Sequence, residues 1–177
     1  MQTEFKVGTC LVYDTYGICK VTGIENMSFS KGTPKRLYYV LSPLSSPAST
    51  YYVPAGNEAL QKKLRLPLAE DEIKALLENS LSCSISWIEN RQERNDVFGR
   101  ILHSGITPEL IALIACLFER KMSLAEKGKK LSSTDEGLFT SAEKMVREEF
   151  AFSLGISSEA VTEYIHAFMD KRAPVQK

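Results

Sequence analysis

Four cysteines and two histidines are the residues of this chain best suited to redox, nucleophilic or metal chemistry. Cys10, Cys19, Cys83 and Cys116 form no Cys-x-x-Cys pair and are too sparse for a disulfide framework. Neither His103 nor His166 stands in a zinc-ligand pattern, so solvent-facing or capping roles fit them better. Glycine-rich phosphate loops, the Gly-x-Ser-x-Gly elbow and His-Glu-x-x-His are all missing. Cys10 and Cys19 flank a turn and could share one face of a hairpin, which would suit a redox pair. Free cysteines more often act as small buried hydrophobes, and core filling is the favoured reading. The chain is thus predicted to be no enzyme, with no catalytic residue, cofactor, metal or small-molecule substrate.

A different chemistry centres on Trp87, the lone tryptophan. It follows a polar linker, Asn79-Ser80-Leu81-Ser82-Cys83-Ser84, and is placed at the start of a helix. Arg91 and Arg94 come about one and two turns later, and Lys127, Lys129 and Lys130 form a second basic group near another helix end. An aromatic beside scattered cations suits insertion at a nucleic-acid junction. By residue type alone, packing against a helical core is the ordinary fate of a tryptophan. The segment from Glu149 to Val161 has the outline of a helix-turn-helix, but its second helix offers Glu159 and Glu163 and no cation before Lys171. Helices that read the major groove need donors for phosphates and base edges, so helix packing is the better reading.

The elements that must position these residues divide the chain in two. Phe5–Tyr13, Ile18–Ile24, Arg36–Leu41 and Thr50–Val53 are rich in β-branched and aromatic residues, with turn chemistry at Asp14-Thr15-Tyr16-Gly17 and a Ser/Pro stretch over 42–49. Short strands of this kind predict a small barrel or strongly twisted sheet. Beyond Pro67 the apolar period changes to that of helices. Ala69–Leu77 and a segment from Trp87 to Gly105 supply the first two. Thr107-Pro108-Glu109 signals the start of a third, with Thr107 as its cap and Leu110, Ile114, Leu117 and Leu124 on one face. Ser133 and Glu136 have capping-box spacing for a helix ending at Leu154-Gly155. Ser157 caps a last helix with Val161, Tyr164, Ile165 and Phe168 on one face.

Net charge is zero, yet residues 1–69 hold eight Lys/Arg against four Asp/Glu, and residues 70–177 hold fourteen against eighteen. Any nucleic-acid contact must come from a local patch. No apolar run approaches the about 20 residues of a membrane span. The first residues lack the basic and apolar regions of a signal peptide, so the expected location is the cytoplasm, without membrane contact.

In order along the chain, Phe5-Lys6-Val7-Gly8-Thr9-Cys10-Leu11-Val12-Tyr13, Tyr16-Gly17-Ile18, Ile24-Glu25, Tyr38-Tyr39-Val40-Leu41, Val53-Pro54 and Trp87 resemble the CarD family of bacterial transcription regulators. So do Leu102-His103-Ser104-Gly105, Leu131-Ser132, Glu149-Phe150-Ala151 and Leu154-Gly155-Ile156. The resemblance implies an α+β protein: a Tudor-like, SH3-like β-barrel module over residues 1–66, then an all-α helical bundle over residues 67–177. It implies that the first module binds the β subunit of RNA polymerase by strand pairing. The second would touch promoter DNA at the upstream edge of the melted bubble and stabilise the open complex, with Trp87 as a wedge in the minor groove. Trp87, Arg91, Arg94, Lys129 and Lys130 are therefore the expected DNA-binding residues.

Met27 and Tyr52 stand at two positions where better-known members carry basic residues for polymerase, so that contact is expected to be more apolar here. Glu136 replaces a frequent basic residue, leaving Lys129 and Lys130 to meet phosphates. A protein-interaction adaptor of the same fold that has lost DNA contact is the alternative, kept open by the acidic balance of residues 70–177.

Overall fold

The computed structural model describes residues 5–30, 32, 34–61, 63–79 and 85–170. Cys83 and residues 80–84 lie outside these, as do the side chains of His166 and Phe168 and the whole of Lys171. The chain divides into two compact units, Met1–Pro67 and Leu68–Lys177.

Unit 1 is an antiparallel sheet. Its strands are β1 (Cys10–Tyr13), β2 (Ile18–Met27), β3 (Arg36–Pro43), β4 (Tyr51–Pro54) and β5 (Leu64–Arg65), with α1 (Glu58–Gln61) before the last. The order across the sheet is β4-β3-β2-β1-β5. The sheet is open, where the resemblance implied a barrel. Its edge strands have four and two residues and do not pair with each other among the described residues, so they are too short to complete a closed ladder.

β1 also starts later than the sequence predicts. Gly8 takes a φ of +92° and the Thr9 amide donates to the Lys6 carbonyl at 3.1 Å, so residues 6–9 turn instead of extending. Register settles the Cys10–Cys19 question against a common face. Leu11 opposes Cys19 and Cys10 opposes Lys20, so the two thiols point to opposite sides of the sheet. Cys19 joins Leu11, Val21, Tyr39, Leu41 and Val53 in the core of the unit.

Unit 2 is helical: α2 (Glu70–Asn79), α3 (Arg91–Ser104), α4 (Thr107–Ala125), α5 (Ser133–Leu154) and α6 (Ala160–Asp170). Capping chemistry moves three of the predicted starts. Asn90 caps α3, its side-chain oxygen accepting from the Glu93 amide at 3.1 Å, so Trp87 precedes the helix instead of opening it. Ile106 occupies the cap position of α4, and the Thr107 hydroxyl instead donates to buried Glu149 at 2.7 Å. Ser132, one residue earlier than expected, caps α5 by accepting from the Asp135 amide at 3.1 Å. Its hydroxyl donates in turn to the Asp135 carboxylate at 2.6 Å.

Two helices end in the same way. Gly128 and Gly155 adopt φ of +66° and +63°, and the amides after them return to the Leu124 and Ala151 carbonyls at 2.9 and 3.1 Å. This is the left-handed turn that only glycine takes without cost. Ile73, Phe98, Leu113, Leu117, Phe139 and Phe150 lie at the centre of the unit. No helix among the described residues is long and apolar enough to cross a membrane.

Candidate functional site

Two surfaces hold the residues singled out by type and spacing, one on each unit. In unit 1, Tyr39, Leu41 and Val53 point into the core, so strand alternation sends Arg36, Tyr38 and Tyr52 to the opposite, outer face. Met27 is the cross-strand partner of Arg36 and shares that face. The structure therefore brings Met27 of β2 and Tyr52 of β4 to the same side of the sheet, with β3 between them. Phe29, just after β2, joins them. Its ring meets Tyr38 edge-on at 5.2 Å and Tyr52 at 5.3 Å. Phe29 is 63% exposed and Tyr52 44%, an apolar patch beside the edge strand β4. Sequence reasoning missed Phe29, Tyr38 and Arg36. For Arg36 and Tyr38 the signal was available in the period of two, since they alternate along β3 with the buried Tyr39 and Leu41, whereas Phe29 lies outside any strand.

In unit 2, Trp87 is half-buried against the helical core, with its ring edge-on to Phe98 at 6.2 Å. Two guanidinium groups lie over the indole, Arg94 at 4.2 Å and Arg120 at 4.8 Å from the ring centre. Each such contact contributes on the order of 0.5–2 kcal/mol, more when water is excluded. The indole Nε1 and the Arg120 Nε are buried with no hydrogen-bond partner among the described residues. The pyrrole edge of the ring is therefore held by packing and charge alone.

Arg94 is where structure and sequence expectation part. It is 6% exposed, and its guanidinium donates to both oxygens of Asp135, at 3.0 and 3.2 Å. Two further donors meet the carbonyls of Ile88 and Glu89 at 2.7 and 3.2 Å. Four of its five N–H donors are so engaged, and the cation is withdrawn from solvent and from any phosphate there. It fixes the segment carrying Trp87 to the start of α5, which makes it a positioning residue. Burial alone would raise the Asp135 carboxyl, but hydrogen bonds from Arg94 and Ser132 and the charges of Arg94 and Arg91 outweigh it, holding the group below the ordinary carboxylate range.

The neighbouring cations differ in how free they are. Arg120 faces Glu89 at 3.7 Å, and Lys121 pairs with Glu136 at 2.7 Å. Arg91, Lys129 and Lys130 are exposed and form no ion pair among the described residues. Lys129 and Lys130 follow the glycine turn that ends α4, so they project from a backbone held by the Lys129 amide bond to Leu124. Arg120 was not anticipated from the sequence. Nothing in spacing links it to Trp87, which it meets only through the packing of α4.

The helix-turn-helix outline dissolves into packing. Phe150 and Val161 are core residues. The Glu149 carboxylate is buried, accepting from the Leu68 amide at 3.0 Å and the Thr107 hydroxyl. It ties the lead into α2 and the start of α4 to the middle of α5. Burial pushes the Cys116 thiol up from its ordinary value, so it stays protonated and poorly nucleophilic at neutral pH. No cluster of three or more His, Cys, Asp or Glu suited to a metal ion occurs among the described residues.

Residues 5–65 match the family model of the CarD-like/TRCF RID domain. The match spans the sheet of unit 1 from Phe5 to β5, and with it the outer face that carries Met27 and Tyr52. No curated protein matches the chain.

Proposed function

We propose, because residues 5–65 belong to the CarD-like/TRCF RID domain family, that this chain is a non-enzymatic transcription regulator tethered to RNA polymerase. Such a domain is a protein-interaction unit, and its role is transcription-related polymerase binding. In this reading the tether is the polymerase β subunit, held along the outer face and edge of the sheet around Met27 and Tyr52. Unit 2 then stabilises the open promoter complex at the upstream edge of the bubble. Trp87 supplies the stacking surface, and Arg91, Lys129 and Lys130 supply phosphate contacts. Stacking on an aromatic is worth about 1–3 kcal/mol per base, enough to slow bubble collapse appreciably. The observation that carries the reading is the family match, and the exposed apolar patch on the same unit supports it.

One observation favours the second reading, an adaptor that no longer touches DNA. Several cations near Trp87 are already matched by acids: Arg94 by Asp135, Lys121 by Glu136, Arg120 by Glu89. The deciding experiment is capture of the full chain by the polymerase β lobe, followed by open-complex lifetime with and without the protein. Capture with no change in lifetime would favour the adaptor, and no capture would end both readings.

Lys129 and Lys130 give a separate test of the phosphate role. Changing both to Ala is expected to weaken binding to forked promoter DNA and lower the salt slope by about 1.8 for two lost duplex contacts, or about 1.4 on single strand. An unchanged slope would leave the two lysines as solvated turn residues.

A further inference from the structure

One helix of unit 2 is apolar on both of its sides. From Thr107 to Phe118, α4 carries a single charge, Glu109. Leu110, Leu113 and Leu117 face the core. The side turned outward is apolar as well, and consists of Ile111, Ala115, Phe118, Met122 and Ala125. Phe118 is 52% exposed and Met122 51%, Ala115 and Ala125 are exposed, and Ile111 is half-buried. A helix that is apolar all round belongs in an interior, and an exposed stripe of this kind marks a contact surface. Arg120, which reaches Trp87, comes two residues after Phe118 and so lies on the opposite side of the helix.

Spacing and charge select the occupant. The five residues follow one another at intervals of four, three, four and three, the seam by which two helices pack side by side. Ala115 and Ala125 let a second backbone come close, and Phe118 and Met122 supply the bulk. One flank of the seam is acidic: Glu119 and Glu126 are exposed and form no ion pair among the described residues. The other flank carries Ile114 and Lys121. Arg147 and Glu143 line a shallow cavity beside Ile114 and balance each other, so Lys121 sets the sign there. Lys121 pairs with Glu136 at 2.7 Å, but both side chains are more than 40% exposed and an ammonium has two further donors.

Parallel pairing of two such helices sets each flanking residue against the one five positions later on the partner's other flank, here Lys121 against Glu126. The contact forms twice about the two-fold axis. Antiparallel pairing joins like flanks, bringing Glu119 to Glu119 and Lys121 to Lys121, so charge decides the orientation. Two heptads are short for a free-standing coiled coil. α4 is already held in shape by its own core, however, so pairing has no backbone to order.

We propose that the outer face of α4 is the interface of a parallel, two-fold homodimer, with Phe118 and Met122 at its centre and a Lys121–Glu126 pair on each side. The seam is short, so association is weak and rises with concentration. It leaves the Trp87 side of the helix open, and it does not depend on the reading that unit 1 binds polymerase.

Sedimentation of the full chain from micromolar concentration upward is the first measurement. Wild type should pass from monomer to dimer and go no further, as two-fold closure requires. A chain that stays monomeric at its highest soluble concentration overturns the proposal. Phe118→Glu should raise the dimer Kd at least about tenfold, because it buries a charge without a partner, and its melting temperature should stay near wild type. An unchanged Kd would also overturn the proposal. Lys121→Glu and Glu126→Lys should each weaken self-association by setting like charges together twice. Lys121→Glu also gives up the exposed contact with Glu136, which is worth little. Mixed with each other, the two variants should associate as readily as wild type, since both pairs regain opposite signs, a result that misfolding cannot imitate. A mixture no better than either variant alone would exclude the proposed pairing. Ala125→Cys reads the orientation directly. Under mild oxidation it should cross-link to its own equivalent well beyond the wild-type background, whereas an antiparallel seam would set it against Ala115 of the second copy. A monomeric wild type whose Phe118→Glu variant loses affinity for polymerase would assign the face to another protein instead.

Discussion

Asp135→Ala is expected to destabilise unit 2 by about 3–5 kcal/mol, the loss usual when one partner of a buried ion pair is removed. The cost comes less from the lost attraction than from what remains. Arg94 would stay 6% exposed with its charge uncompensated, and the Ser132 hydroxyl would lose its acceptor. Asp135 itself is 2% exposed, so water cannot readily take its place. Asp135→Asn should fall between, since it keeps one acceptor and loses the charge.

The same residue sets a pH limb. Because the folded carboxyl lies below its unfolded value near ~3.9, its contribution is fully present above that pH and is lost as pH falls through the lower folded value. Wild type and Asp135→Ala should therefore differ by a constant amount from about pH 5 to 8 and converge below about pH 4. Since Trp87 is the lone tryptophan, its fluorescence offers a second readout. Loosening Arg94 should shift the emission to the red. Denaturant melts with unchanged stability and emission would show that the pair is dispensable.

The change of apolar period beyond Pro67 marked where strands give way to helices, and the same period outlined most of the helices. What the sequence could not show followed from contacts between distant residues. Nothing about Arg94 marks it as buried until Asp135, forty-one positions later, is seen to accept two of its hydrogen bonds. Read alone, an arginine two turns after a tryptophan is a natural phosphate ligand. The pairing turns it into a support for the tryptophan's own segment. The errors at the helix starts have a shared and more local cause. Asn90 and Ser132 cap α3 and α5 in stretches where neighbouring residues were read as the start, and Ile106 takes the α4 cap position with no side-chain hydrogen bond, so the backbone decides where each helix begins. The outer sheet face was obscured for a different reason. Met27 and Tyr52 mark positions where cations were expected, while the cation of this face, Arg36, stands directly across from Met27 on the next strand.

Trp87→Ala is the substitution for which structure sharpens the expectation most. A fully buried aromatic would cost about 3–5 kcal/mol on truncation and a surface one about 0.5 kcal/mol or less. Trp87 lies between. Half of it packs on Phe98 and beneath two guanidinium groups, and its Nε1 makes no hydrogen bond to lose among the described residues. A loss of about 2–3 kcal/mol follows, from partial burial plus the two cation–π contacts. Trp87→Phe should recover much of that stability, because the edge contact with Phe98 survives in part and no hydrogen bond is sacrificed. The functional effect should separate from the structural one. At a temperature where both variants are folded, each should bind polymerase as wild type does, since the tether is assigned to unit 1. Trp87→Ala should lose most of its effect on open-complex lifetime, because stacking worth about 1–3 kcal/mol corresponds to roughly 5- to 160-fold in rate. Competitor-challenged lifetimes, read beside thermal melts, distinguish the roles. Normal lifetimes with a destabilised protein would make Trp87 a packing residue alone, and the balance would then tip to the adaptor.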